Sequence, residues 1–190
     1  MNDPAETPHI MEIALEEAFQ YSPVNTQIFT PFLVARLEEH PATVVRTCEY
    51  QVILQDIRAA GTRSLAVRWT WTEAMIPPVP LAAQQAYITE AAAYGLAFAV
   101  LARFTSAVLI DVAERGERFD YVFADQGRLC GLEVSGSQTE DKQTLKDRHA
   151  QKIRQLRDNP QGWGGYVVIV GFTRREVILS FHQAERDNQS

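Results

Sequence analysis

The stretch FDYVFADQGRLCGLEVSGS, Phe119 to Ser137, predicts two neighbouring strands joined by a tight turn. If Gln126-Gly127 is a two-residue loop, glycine supplies the positive φ that such turns require. Paired residue numbers in a hairpin keep a constant sum, so Asp120 is expected opposite Glu133, with Cβ atoms about 5 Å apart. A four-residue loop at the same centre predicts the same register, whereas a three-residue loop does not.

This register divides the hairpin side chains between two faces. One face is apolar throughout, with Phe119, Tyr121, Phe123, Cys130, Leu132 and Val134. The other is apolar near the turn and ends in the two acidic residues, whose repulsion destabilises a sheet and grows with desolvation. A shared proton or a divalent cation would relieve it, and Mg²⁺ often binds through one or two carboxylates. The alternative is a pair of solvated residues at a sheet edge.

Helices and strands are predicted on both sides of the hairpin. Residues 81–104 predict a long helix that is apolar on nearly all sides, typical of a helix packed on a sheet. Alternating or apolar runs predict strands at 107–114, 118–124, 128–136, 166–172 and 176–182. A polar amphipathic segment between the third and fourth of these strands predicts a helix at 139–159. Ser137 or Thr139 is expected to cap the polar helix.

Residues 1–80 predict an accessory module of two short helices and a β-hairpin. The helices are expected at 9–19 and 32–39, each after a Thr-Pro pair that is typical of a helix start. Period-2 alternation predicts paired strands at 44–54 and 64–72. The proline-rich segment 76–80 predicts a boundary, followed by a core at 81–183 and a disordered tail at 184–190. The fold class is therefore α/β, in the wider sense that includes α+β.

The order helix, three strands, helix, strand, together with the acidic residues, resembles the PD-(D/E)XK nuclease superfamily over about residues 81–182. Asp120 matches the first acidic position of its motif, and Glu133 the acidic residue of E-x-K. Glu90 matches the helix glutamate of many members, while Ser135 stands in place of the motif lysine. The resemblance implies a restriction-endonuclease-like αβββαβ core, with Mg²⁺ or Mn²⁺ held by Glu90, Asp120 and Glu133.

If another cation replaces the missing lysine, the candidates lie on the polar helix and next to the hairpin. Lys142 is expected near the end of the strand that carries Glu133, and Lys152 is where members with a migrated lysine often place it. Arg118 is a third candidate. The structural alternative for the two lysines is that their long aliphatic stems only cover apolar surface. The predicted catalytic residues are therefore Asp120, Glu133, Lys142 and Lys152. His149 is expected to be packed or solvated.

Composition narrows the function classes. The 190 residues carry a formal net charge of -6, so nucleic acid, DNA first, is expected to bind through a local basic patch at residues 142–157. No signal peptide or membrane-length apolar run is found, and two isolated cysteines suit a reducing compartment, so a cytoplasmic protein is expected. Zinc-ligand spacing, a phosphate loop and a serine-hydrolase elbow are also missing.

Three functions follow from these observations. The first is a Mg²⁺-dependent endonuclease or phosphodiesterase, acting alone, as a homodimer or in a complex with other proteins. The second is a catalytically inactive descendant of the same fold that serves as a binding or scaffold subunit, which the loss of the strand lysine favours. The third is an unrelated α+β interaction protein in which the hairpin carboxylates are incidental.

Overall fold

A single sheet of eight strands organises the described part of the chain. The structure, a computed structural model, describes residues 10–19, 26–38, 46–57, 61–76, 83–138 and 141–184. In chain order the elements are β1 (Met11–Ala14), α1 (Leu15–Phe19), α2 (Thr30–Glu38), β2 (Thr47–Gln55), β3 (Thr62–Thr70), α3 (Gln85–Phe104), β4 (Val108–Val112), β5 (Tyr121–Asp125), β6 (Arg128–Ser137), α4 (Lys142–Arg157), β7 (Gly165–Gly171) and β8 (Glu176–His182). Short 3-10 helices span Thr26–Phe29 and Glu73–Met75. The fold is thus mixed α/β.

The strands are ordered β1-β3-β2-β8-β7-β6-β5-β4 across the sheet. The pairs β1/β3, β2/β8 and β6/β7 are parallel, and the other neighbouring pairs are antiparallel. Because β2 pairs with β8, the N-terminal hairpin and the C-terminal strands belong to one hydrogen-bonded sheet. The division at residue 80 stays a prediction, and the segment 77–82 lies outside the described residues.

The N-terminal elements confirm one prediction and correct another. The predicted hairpin is present as β2 and β3, which bury alternating residues such as Tyr50 and Val67. The predicted first helix is wrong in its first half, because Met11–Ala14 is a strand and α1 begins only at Leu15. The cause is tertiary: β1 adds in parallel to the edge of β3 and buries Ile13, which overrides local helix propensity.

Helices cover both faces of the sheet. On one face α3 packs with α1 and α2 in the large core cluster, which includes Leu33 and Leu96. On the other face α4 lies over β6 and β7, with Leu145 and Leu156 in a smaller cluster. Gly136 of β6 allows α3 to approach closely: a Cβ there would lie 2.7 Å from the Ala93 Cβ and 2.9 Å from the Thr89 carbonyl oxygen. These would be severe clashes, so only glycine fits at that contact.

The decisive hairpin forms as predicted near its turn. Both Gln126 and Gly127 have positive φ, 50° and 77°, the combination that a type I′ turn requires. The ladder pairs Asp125 with Arg128 and continues in that register to Tyr121 and Leu132. The register prediction is therefore confirmed over the whole of β5.

The register changes immediately before β5. The constant-sum register pairs Asp120 with Glu133. Instead, the backbone N–H of Asp120 donates to the carbonyl of Leu132, one residue earlier, at 2.8 Å. Phe119 accordingly packs on the α4 side, stacked on Trp163, and not on the predicted face with Tyr121. Arg118, two residues ahead of this point, has a positive φ of 59°, so the chain turns just before the register changes.

Two other expectations concern the chain's ends and helix starts. The cap of α4 is Asp141, whose side chain accepts from the Thr144 N–H, and not Ser137; Thr139 lies outside the described residues. Apart from Ala184, the tail predicted at 184–190 lies outside them as well. No helix in the described ranges combines the length and the hydropathy needed to cross a membrane.

Candidate functional site

The candidate site lies where β5 and β6 stop pairing. β5 begins at Tyr121, opposite Leu132, while β6 continues to Ser137. Asp120 ends the ladder with its side chain: its Oδ2 accepts a hydrogen bond of 2.8 Å from the Val134 N–H. The carboxylate therefore takes the place of a strand carbonyl at the end of β5. We call this place the strand notch, defined by Asp120, Glu133 and Val134.

Glu133 is the second acidic residue of the strand notch and is only 3% exposed. Its neighbours Leu132 and Val134 belong to the core cluster under α3, so alternation directs Glu133 to the α4 face. There the Lys152 ammonium donates a hydrogen bond to Glu133 Oε2. The same Nζ lies 4.0 Å from Asp120 Oδ2, so one cation serves two carboxylates.

The burial of Glu133 changes its acidity. Desolvation raises the pKa of this carboxyl to about 7, and the negative charge of Asp120 acts in the same direction. Lys152 opposes both effects by hydrogen bonding and by its charge. Glu133 can therefore gain or lose a proton close to neutral pH, which is the range in which a general acid or base is most effective.

Two tyrosines border the strand notch on the α3 side. The rings of Tyr94 and Tyr121 meet edge to face, with centroids 5.2 Å apart. Burial is the main cause that raises the pKa of both phenols, and the charges of Asp120 and Glu90 add to it. Both hydroxyls are thus neutral at physiological pH and are suited to donate hydrogen bonds to an anion.

The structure brings together only part of the predicted set. Asp120, Glu133 and Lys152 are in contact. Glu90 is exposed on α3, and within the described ranges no three His, Cys, Asp or Glu side chains form a metal-ligating group. Lys142 is exposed at the start of α4, and no ion pair among the described residues joins it to either carboxylate. Arg118 lies 3.8 Å from Asp158 instead.

The α4 face holds further polar contacts that the sequence did not reveal. Arg148 Nη1 donates to Ser135 Oγ at 3.1 Å, so a cation does approach the position where the motif lysine is missing. One residue further along α4, His149 Nε2 lies 2.7 Å from Ser180 Oγ, which also lies 2.9 Å from His182 Nε2. The only signal was a serine inside each of two apolar strands, which does not identify a partner elsewhere in the chain.

These contacts form an ordered layer between α4 and the sheet. Glu133, Val167 and Ser180 are register neighbours across β6, β7 and β8, so their side chains lie in one row. Lys152 meets the first member of that row, and His149 meets the last. The pKa of His149 is lowered to about 4, mainly by burial and also by the nearby His182, so His149 is neutral at pH 7.

The donor set suits a hard divalent cation. Mg²⁺ and Mn²⁺ prefer oxygen ligands, and Mg²⁺ commonly binds through one or two carboxylates while it keeps several waters. Asp120 and Glu133 would supply those oxygens. Lys152 reduces the repulsion between them, but two carboxylates and one ammonium still leave a formal charge of about −1 when Glu133 is ionised. The two residues therefore fit such an ion with few protein ligands.

Comparisons with protein-family models, with curated proteins and with solved structures found no match to this chain. The functional assignment therefore depends on the geometry and chemistry of the strand notch.

Proposed function

We propose that this protein is a metal-dependent nuclease-like enzyme, a divergent member of the PD-(D/E)XK superfamily, that hydrolyses phosphodiesters of nucleic acid, with DNA as the first candidate. The observation that supports the proposal is the contact of Asp120, Glu133 and Lys152 in the strand notch. The chain order α3, β4 to β6, α4 and β7 agrees with the element order on which the resemblance was based.

Each residue of the strand notch has a distinct role in this proposal. Asp120 and Glu133 hold the divalent ion, and Val134 fixes the Asp120 carboxylate through its N–H. Lys152 supplies from α4 the positive charge that Ser135 cannot supply from β6. When bound, Mg²⁺ or Mn²⁺ lowers the pKa of a coordinated water and stabilises charge on the phosphoryl oxygens.

The exposed side of α4 supports a polyanionic substrate. Lys142, Lys146 and Arg154 are exposed on α4, the helix that carries Lys152. Such a local cluster attracts phosphates at short range, although the whole chain has a net charge of -6. We therefore expect binding to weaken strongly with salt.

Cleavage of supercoiled plasmid and of labelled single-stranded DNA tests the proposal. The wild-type protein should cut in Mn²⁺ or Mg²⁺ and be inactive in EDTA. Asp120→Asn and Glu133→Gln should each lower the rate by about 100-fold or more, because each removes an oxygen ligand charge. Asp147→Asn is the matched control, since Asp147 is an exposed acid on α4 that bonds Gln143. Equal rates for Asp120→Asn and wild type would refute the enzyme.

A second candidate is a non-catalytic binding or scaffold subunit with the same fold. It is favoured by one observation: cations of α4 contact both Glu133 and Ser135, so these side chains already have partners within the protein. Calorimetric titration with Mn²⁺ distinguishes the two. If wild type and the double variant Asp120→Asn/Glu133→Gln bind Mn²⁺ equally, or neither binds it, the second candidate is the better one.

A further inference from the structure

The most exposed aromatic ring near the strand notch is Tyr87, in the first turn of α3. Among the exposed large apolar and aromatic side chains of the described residues, Tyr87 is the one aromatic ring, with 56% of its surface exposed. Its ring and that of Phe32 on α2 have centroids 5.5 Å apart and meet at 85°, edge to face. Such a contact fixes the orientation of Tyr87 while it leaves much of the ring to solvent.

A separate group of aromatic rings lies beside the strand notch, where Phe29, Tyr94 and Tyr121 contact one another. Phe29 ends the 3-10 helix that leads into α2, and its ring contacts Tyr94 at 5.6 Å and Tyr121 at 6.5 Å. Tyr121 precedes the rest of β5 and directly follows Asp120. Tyr87 precedes Tyr94 by seven residues on α3, so the two side chains lie on the same side of the helix, about 10 Å apart along its axis. Burial is the main cause that raises the pKa of Tyr121, and the nearby Tyr87 phenol adds to it. Tyr87 is thus a neighbour of the candidate site.

The charges around Tyr87 determine which part of a nucleotide suits it. Glu90 lies one turn further along α3 and is exposed, and its charge raises the pKa of both Tyr94 and Tyr121. A negative potential here disfavours a phosphate but not an uncharged base. The cations lie on the opposite helix, with Lys152 at the strand notch and Lys146 exposed on α4.

We propose that Tyr87, supported by Phe32, is a stacking platform for an unpaired base of a single-stranded nucleic acid whose backbone passes through the strand notch towards α4. This inference rests on the proposed function, and it adds the class of substrate. Every base has a π-face, so stacking on one aromatic ring is tolerant of sequence. A paired base within a duplex has its faces covered by its neighbours, so it cannot stack on Tyr87.

The surroundings favour a base over a docked protein. Gln84, Gln85 and Glu90 around the first turns of α3 are exposed and polar. A protein interface has an apolar core of several residues. Among the described residues of α3, Tyr87 is the single large apolar or aromatic side chain that is exposed. Single-strand binding grooves combine aromatic rings on which bases stack with cations that follow the backbone, and here those two parts would be Tyr87 and the cations of α4.

Fluorescence anisotropy with a labelled 12-nucleotide single strand and its duplex tests the platform. Measurements are made in EDTA, so that neither metal nor cleavage contributes. Tyr87→Ala should weaken binding of the single strand by about 5- to 150-fold, the range expected for one stacked base. Tyr87→Phe keeps the ring and should stay within about twofold of wild type. Binding to the duplex should be weaker and insensitive to both changes.

Ile28→Ala is the control for lost apolar area, since Ile28 is 57% exposed and precedes Phe29. It should leave single-strand binding unchanged. The inference is overturned if the wild type does not bind the single strand, if Tyr87→Ala binds it normally, or if duplex binding falls in parallel. It is also overturned if size-exclusion chromatography shows that Tyr87→Ala breaks a dimer, since the ring would then be a protein contact.

These outcomes are separate from those of the proposed function. If the wild type does not cleave in Mn²⁺ but Tyr87→Ala still loses single-strand binding in EDTA, the stacking platform is supported and the nuclease proposal is refuted. If cleavage depends on Asp120 but binding is independent of Tyr87, the nuclease proposal is supported and the stacking platform is refuted.

Discussion

The helices α3 and α4 lie on opposite faces of the same sheet and are held there by different forces. In α3, 13 of 20 residues are buried, so packing of apolar surface fixes it. In α4, only Leu145 and Leu156 of 16 residues are buried. Ile153 is partly buried in the same small cluster, and α4 also makes polar contacts with the sheet through Arg148, His149 and Lys152.

This difference assigns most of the packing stability to the α3 face and the candidate chemistry to the α4 face. On the α3 face, the close contact of Gly136 with Ala93 and Thr89 leaves no space for a ligand between the helix and β6 at that point. On the α4 face, buried ionisable groups make the contact, and the pKa values of Glu133 and His149 are displaced in the directions that favour their neutral forms. Groups of this kind are found preferentially at functional sites, although structural ion pairs produce them too. The following variants test the comparison, from the largest expected effect to the smallest.

The largest effect is expected from the core of the α3 face. Leu96→Ala removes a side chain that is 0% exposed. The lost burial and the cavity should lower the free energy of unfolding by roughly 2–5 kcal/mol, measured by urea denaturation at pH 7. Leu129→Ala is the control, because Leu129 is 48% exposed and its loss should cost less than about 0.5 kcal/mol. A loss below about 1 kcal/mol for Leu96→Ala would mean that α3 is not held by packing.

A pH-dependent effect is expected from Lys152→Met on the α4 face. Without the ammonium, the ionised Glu133 is buried beside Asp120, so the variant should lose about 2–3 kcal/mol at pH 8. The pKa of Glu133 is raised from 4.5 to about 7 by folding. Its favourable contribution is therefore complete below pH 4.5 and lost as the pH rises through 7. At pH 5 the carboxyl holds a proton, and the cost of Lys152→Met should be much smaller.

The double variant Lys152→Met/Glu133→Gln is the control for this explanation. It should recover most of the loss at pH 8, because no buried charge remains without a partner. Urea denaturation at pH 5 and pH 8 gives the four values that are needed. An equal loss at both pH values, with no recovery in the double variant, would show that Lys152 acts only through the packing of its stem.

His149→Gln should have a smaller effect, of the opposite pH dependence. Folding lowers the pKa of His149 from 6.5 to about 4, so its contribution is present above pH 6.5 and lost as the pH falls towards 4. Between pH 7 and pH 5 this group alone should cost the wild type roughly 2 kcal/mol. Glutamine can keep a hydrogen bond to Ser180 but cannot be protonated, so the variant should lose less on acidification. If both proteins lose the same amount, His149 is not the group that titrates.

Much of the fold could be predicted from the sequence because its signals are local. Period-2 alternation predicted β2 and β3, and the glycine at position 127 predicted the turn and the register of β5 with β6. The strand β1 could not be predicted, because it is a strand only through its pairing with β3. Phe119 was assigned to the wrong face because the register changes at Asp120, and no local signal marks that change.

The candidate site could be predicted only in part for the same reason. The constant-sum rule predicted Asp120 beside Glu133, and the two carboxylates do share Lys152, although the ladder ends at Tyr121 and the register changes at Asp120. The choice between Lys142 and Lys152 depends on how α4 is rotated over β6 and β7, and that is a tertiary property. The contacts of Arg148 with Ser135 and of His149 with Ser180 join residues 13 and 31 positions apart, so no spacing rule predicts them.

The two helices also differ at their first residues, where the smallest effect is expected. Asp141 caps α4, and its Oδ1 accepts from the Thr144 N–H at 2.7 Å. The corresponding residue of α3, Gln84, makes no side-chain capping bond. Asp141→Ala should therefore speed amide exchange in the first turn of α4 and lower the urea midpoint by less than His149→Gln does, whereas Gln84→Ala should change neither for α3.

Acid should reproduce the effect of Asp141→Ala without a mutation. The hydrogen bonds to Thr144 lower the pKa of Asp141 below its ordinary value of 3.8, so the cap is complete above that pH and is lost as the pH falls below it. Asp141→Asn keeps an acceptor oxygen and should protect the first turn of α4 at all pH values. If Gln84→Ala and Asp141→Ala gave equal exchange rates in their helices, the first turn of α4 would be held by its contacts with the sheet, as α3 is, and the two helices would differ less than their caps suggest.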